Sequence, residues 1–162
     1  MTTTDENKST YFKESGERAG LSMERMEELA RTDRFFNESN QMYHINGYVY
    51  NNHPVINLAY GSRVRWYVIS FEEKEEDKHV PIDDEGDNDV HTAHWHGASL
   101  LYHGRRVDVV DLTPISFEVV DMVPDNVGQW LFHCHVAAHF DAGMSAFYQV
   151  EEVVYTGDEG WG

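Results

Sequence analysis

One cysteine in 162 residues leaves no second thiol, so no internal disulfide can staple this chain. No apolar run approaches the roughly 20 residues needed to span a bilayer as a helix. No charged, then apolar, then small-residue leader opens the sequence, so a Sec signal peptide is not expected. Bases are scarce as well: 12 Lys and Arg stand against 29 Asp and Glu, a net charge of −17, and only four of the bases are lysine. Such a surface repels nucleic acid and anionic membrane, which excludes both as partners. Abundant acid with little lysine also suits a high-salt environment. There is no internal repeat. What remains, 41% apolar and 13% aromatic residues, is enough for one globular domain with a real core.

The single cysteine sits in the most informative stretch of the chain, His133-Cys134-His135-Val136-Ala137-Ala138-His139-Phe140-Asp141-Ala142-Gly143-Met144. A thiolate, imidazoles and a distant thioether are the ligands of a blue, type 1 copper. Gln129-Trp130-Leu131-Phe132 precedes the motif and reads as an apolar strand. Neighbours on a strand point to opposite faces, so Cys134 faces one way and His133 and His135 the other, about 7 Å apart along the strand. With His139 and Met144, Cys134 can build a mononuclear copper site. His133 and His135 are spaced to bind other metal ions.

A second motif, His91-Thr92-Ala93-His94-Trp95-His96-Gly97, lies about 40 residues upstream. Its parity puts His91 on the Cys134 side and His94 and His96 on the side of His133 and His135. Any one His-x-His pair could be an ordinary surface or core pair. Two motifs that sort their ligands into the same two groups are not an accident of ten scattered histidines. His44, His53, His79 and His103 lack such partners and read as surface or core residues.

These two motifs resemble those of the multicopper oxidases, in particular the C-terminal cupredoxin domain of the ceruloplasmin and hephaestin group. They are similar also to the related A domains of coagulation factors five and eight. The likeness extends to Glu38-Ser39-Asn40-Gln41-Met42, Ile45-Asn46-Gly47 and Val127-Gly128-Gln129-Trp130-Leu131, and covers most of the chain. The resemblance implies a type 1 copper held by His91, Cys134, His139 and Met144, which takes single electrons from a reductant. It implies that these pass through His133 and His135 to a trinuclear (type 2 and type 3) cluster, where dioxygen becomes water. In the family a strand precedes the segment matched here by Asp5-Glu6-Asn7, and this chain begins almost at that point. The sandwich then closes without that strand, receives it from a partner chain, or is a fragment.

Three coppers with two or three imidazoles each need roughly eight histidines. This chain offers His94, His96, His133 and His135, so the rest must come from another polypeptide. In the family the cluster lies between two cupredoxin domains with matching His-x-His pairs. A two-fold contact repeats one patch from both sides, so a homo-oligomer could supply eight, and a separate cupredoxin domain would serve as well. A trimer or hexamer would suit the family's pseudo-three-fold arrangement.

The reductant is less defined. Iron-oxidising members place a glutamate, a histidine and an aspartate beside the type 1 copper, and the matching positions here are Glu38, Tyr43 and Ala138. Only Glu38 survives as a possible substrate-cation ligand, which puts phenols on a level with iron, copper or another metal ion. Ten acids crowd into residues 72–89, leading into His91. That run reads either as a cation funnel or as a solvated insertion. Other classes remain: a mononuclear electron carrier, which has no need of the outer histidines, and a non-catalytic A-type domain, which tends to lose type 1 ligands. Copper nitrite reductase places no histidine directly after the cysteine.

The expected architecture is all-β, a Greek-key cupredoxin sandwich with a short N-terminal helical extension. Residues 1–40 form the extension, 41–155 the cupredoxin domain with its acidic insertion at 72–89, and 156–162 a tail. Residues 1–10 are polar and read as disordered, and Ser22 caps a helix over 23–31. Strands are expected near 42–50, 63–71, 92–102, 105–110, 116–122, 129–135 and 145–152.

Overall fold

A computed structural model of the chain describes residues 1–71 and 90–152. The acidic run at 72–89, with His79, and the tail at 156–162 lie outside the described residues. The chain opens with β1 (Thr2–Asp5), a 3-10 turn (Glu6–Lys8) and three helices, α1 (Phe12–Arg18), α2 (Met23–Thr32) and α3 (Arg34–Ser39). Then come β2 (Gln41–His44), β3 (Ile56–Ala59), β4 (Val64–Ile69), β5 (His91–Trp95), β6 (Leu100–Tyr102) and β7 (Arg105–Val107). The order ends β8 (Val109–Leu112), β9 (Phe117–Met122), β10 (Gly128–Cys134), the one-turn α4 (Ala137–Asp141) and β11 (Ser145–Glu151). No helix among the described residues is long and apolar enough to cross a membrane.

Two sheets face each other, one ordered β3-β11-β10-β5-β8 and the other β4-β9-β6-β7. Non-consecutive neighbours of this kind are what Greek-key connections produce. Trp66 of β4 reaches across to Trp95, Phe132 and Tyr148 of the other sheet, with ring centroids 5.7, 5.3 and 6.0 Å away. Leu100, Val120, Met122, Val110 and Leu112 complete the buried layer between the sheets. Trp95 is 1% exposed, and it points inward from the same strand that turns His94 the other way. Trp95→Ala should therefore lower the unfolding free energy of the metal-free protein by about 3–5 kcal/mol, read as a lower urea midpoint.

The extension is more ordered than its composition suggests. Residues 1–10 are not disordered: β1 pairs antiparallel with β2, from Thr2 opposite His44 to Asp5 opposite Gln41. Thr2 also bridges Phe71, and Met1 and Thr3 are buried. A partner strand supplied the burial that a polar threonine run lacks by itself. Ser22 caps α2 as expected, its Oγ accepting from Arg25 N at 3.2 Å.

Several strands are shorter than expected, for local reasons. The strand expected over 42–50 stops at His44, because Asn46 and Gly47 turn the chain at φ 53° and 84° and close Ile45 onto Tyr48. The 92–102 strand breaks at Gly97 (φ 68°), where an added Cβ would meet the Trp130 ring at 2.3 Å. The 105–110 strand divides at Asp108, where the chain leaves one sheet for the other. β3, α1, α3 and α4 are additional elements, each too short for periodicity to declare.

Candidate metal centre

β10 and β5 run antiparallel with Cys134 opposite Ala93 and His133 opposite His94. This register carries both histidine motifs to the same level of one sheet. On the inner face Cys134 meets His91, from the start of β5. β10 ends at Cys134, and α4 turns the chain back within a single turn to bring in His139. Met144 N then donates to His139 O (2.9 Å), and Cys134 N donates to Met144 O (3.0 Å), which closes the loop on itself.

The three inner donors converge. His91 Nδ1 and His139 Nδ1 lie 3.1 Å apart, and Cys134 Sγ is 3.8 and 3.6 Å from them. His91, Cys134 and Met144 are fully buried and His139 is 2% exposed. Thr92 N–H points at Cys134 Sγ from 3.5 Å, and the Tyr43 ring stacks on His139 with centroids 4.6 Å apart. His91 Nε2 has no hydrogen-bond partner among the described residues.

Burial, followed by the neighbouring His139, pushes the His91 pKa down from 6.5 to about 3. Burial also lowers His94 and His133, each reinforced by other histidines. Between pH 6.5 and about 3 the unfolded chain therefore binds more protons at His91 than the folded one. Stability of the metal-free protein should rise with pH through that window and be lost as pH falls through it. Urea midpoints at pH 7, 5.5 and 4.5 would fall in that order; His91→Phe, which removes the titration, should flatten the trend.

The outer face holds a second group. His94 Nδ1 and His96 Nε2 stand 3.1 and 3.0 Å from His133 Nε2. His133 Nδ1 is 2.7 Å from Cys134 O, a bond it can make only by donating, so Nε2 keeps its lone pair toward the other two rings. His135 is exposed beside them, its ring 4.9 Å from that of His94 and 5.7 Å from that of His133. Its backbone N–H donates to both O (2.7 Å) and Oγ1 (3.0 Å) of Thr92. The Tyr148 hydroxyl donates to His96 O from the core side. An open cavity of about 540 Å³ adjoins this group, lined by His94, His96, Asp108, Asp125 and Trp130 among others.

Glu38 stands in neither group; it is exposed on α3 and held by Arg34 Nε at 2.5 Å. His44 Nδ1 accepts from Gly47 N, His53 contacts Asn46 and Pro54 O, and His103 faces Glu118 at the surface. Two contributors escaped the sequence, Thr92 and Asp108, whose Oδ2 lies 3.9 Å from His94 Nε2, while Tyr43, matched by resemblance to a position beside the type 1 copper, does stand against His139. Only Thr92 had a signal, its place on a strand one residue from the level of Cys134.

A sequence profile described as "Multicopper oxidase" matches residues 21–153. The chain belongs to the multicopper oxidase family. Hephaestin of Rattus norvegicus is 40% identical over 149 residues, and ceruloplasmin of Homo sapiens 33% over 149. Each match takes in 90% of this chain and 12% of the relative, so the chain spans about an eighth of the length of these curated relatives. Among solved structures, a metallo-oxidase from Campylobacter jejuni superposes with a TM-score of 0.54 at 18% identity, over 94% of this chain and 29% of that one. That likeness is one of fold.

Multicopper oxidases bind copper, and the donors here fit it. A buried thiolate with two converging imidazole nitrogens and a buried thioether is a soft, borderline set that suits copper. A magnesium or calcium site would instead need oxygen ligands. The outer donors are all imidazole, and the hydrogen bond from His133 Nδ1 to Cys134 O orients a ring as metal-binding histidines are oriented.

Proposed function

We propose that this chain is the type 1 domain of a copper-dependent oxidase. It takes single electrons from a small reductant, a phenol or a metal ion, at His91, Cys134, His139 and Met144. It delivers them to a trinuclear cluster held by His94, His96, His133 and His135 with a matching set from another domain, where dioxygen is reduced to water. The observation that carries this reading is the division of three consecutive residues: Cys134 belongs to the inner donor group and its neighbours to the outer face.

Copper, when bound, supplies the one-electron chemistry at the thiolate and the reduction of dioxygen at the imidazoles. The chain's own residues do the rest. Burial of the inner donors excludes water, and Tyr43 covers the His139 ring. Thr92 N–H offers a hydrogen bond to the thiolate, which stabilises its charge. The link from Cys134 to the outer group is one peptide unit, shortened further by the bond from His133 Nδ1 to Cys134 O. Reduction of dioxygen to water consumes protons, and Asp108, exposed beside His94, can exchange them with solvent. Tyr43 and Ala138 leave no carboxylate at their positions, and Glu38 is tied to Arg34, which supports a phenol at least as well as a metal ion.

The test is copper content per chain together with oxygen uptake on ferrous ion, cuprous ion and a phenol. More than one copper per chain, with uptake driven by at least one reductant, is expected. One copper and no uptake would make the chain a mononuclear electron carrier.

A further inference from the structure

The basic residues that this acidic chain does have are not evenly spread. Arg63, Arg65 and Arg106 line a cavity of about 490 Å³ on the outer face of the four-stranded sheet, with Leu101, Asp121 and Val123. Strand registers explain the grouping: Arg65 lies opposite Asp121, Asp121 opposite Leu101, and Leu101 opposite Arg106, one row across all four strands. Arg65 is already satisfied, with Nε and Nη2 at 2.6 and 2.9 Å from the two Asp121 oxygens. Arg63 and Arg106 make no ion pair with any described residue. Among the described residues four arginines make no ion pair, Arg31, Arg63, Arg105 and Arg106, and two of them line this one concavity. The lining is half apolar, and Leu101 and Val123 are 49% and 53% exposed within it.

Each feature points to the same ligand chemistry. Guanidinium groups bind planar oxyanions through two parallel N–H donors, and both arginines border the same cavity. The volume falls in the range of small-molecule pockets, which pair an apolar lining with a few polar anchors. Inorganic anions would leave Leu101 and Val123 unused. The cavity shares Ser99 with the one beside His94 and His96, and no residue with the inner donor group. It is thus separate from both metal-binding groups.

We propose that this cavity binds a small organic carboxylate, its carboxylate between Arg63 and Arg106 and its apolar body on Leu101 and Val123. The experiment is calorimetric titration of the full chain with benzoate, benzamide and inorganic phosphate. Benzoate should bind saturably at one site, and benzamide, equal in shape but neutral, should not. Arg63→Gln and Arg106→Gln should each weaken benzoate by about ten-fold or more, while an unchanged urea midpoint shows that the fold is intact. Equal binding of benzoate and benzamide, no saturable benzoate binding, or no effect of either substitution would overturn the proposal. Phosphate binding as tightly as benzoate would overturn it too, since the apolar half would then contribute nothing.

Discussion

Cys134→Ser should abolish the visible absorption of the copper-loaded protein and its turnover of every reductant, while the chain still folds. The intense band of a type 1 centre arises from the soft, covalent thiolate donor, and a serine hydroxyl cannot supply it. Sγ is the only sulfur among the three close donors, 3.6 and 3.8 Å from the imidazole nitrogens, and Cys134 is the only cysteine. The substitution is nearly isosteric, so the metal-free variant should keep its circular dichroism. Met144→Leu separates the roles further: it keeps the thiolate and should keep the band, altered in position and potential, because the Met144 thioether would be the weakest of the four proposed ligands. A band that survived Cys134→Ser would mean that the assignment of the inner group is wrong.

The second large effect concerns the outer histidines. His94→Ala and His135→Ala should leave the visible band in place, still bleached by reductant, yet cut oxygen uptake by about a hundred-fold or more. Reduction and dioxygen chemistry would thus be parted between the two faces of one sheet. The proposed cluster also calls for an assembly. His94, His96 and His133 have their ligand atoms within 4.8 Å of one another, but they border an open cavity, and four imidazoles cannot hold three metal ions. Under the proposed function a second domain would close the site, whether another copy of this chain in a trimer or hexamer, or a different cupredoxin domain. Metal that bridges subunits ties assembly to loading, so sedimentation of the pure protein should show an oligomer with copper and smaller species after chelation. A monomer that reduces dioxygen to water at full rate would sink this reading.

Much of the chemistry was legible because a strand has a period of two. Parity alone separated His91 and Cys134 from His94, His96, His133 and His135, and the structure keeps that division. The Ser22 cap was legible for a similar reason, since N-cap geometry is local. Failures came where order depends on a distant partner. The polar residues of β1 look disordered in isolation; β2, some 40 residues later, makes them a strand. Asn46-Gly47 and Gly97 punctuate strands at single residues, finer than any pattern of apolar spacing.

By itself, then, the amino-acid order determined which side chains can serve as metal donors, which of them share a face, and that the body is a β-sandwich, because these follow from side-chain chemistry and backbone period. Only the tertiary structure decided the rest. The antiparallel register of β5 on β10 set His133 beside His94 and brought Thr92 N–H to the thiolate. The single turn of α4 swung His139 onto His91, and Tyr43 of β2, 96 residues earlier in the chain, stacks on His139. Asp108 came to His94 because the chain changes sheets there, and the arginine row formed because four strands align. Those contacts join residues far apart in the chain, and only the packing of two twisted sheets brings such residues within bonding distance.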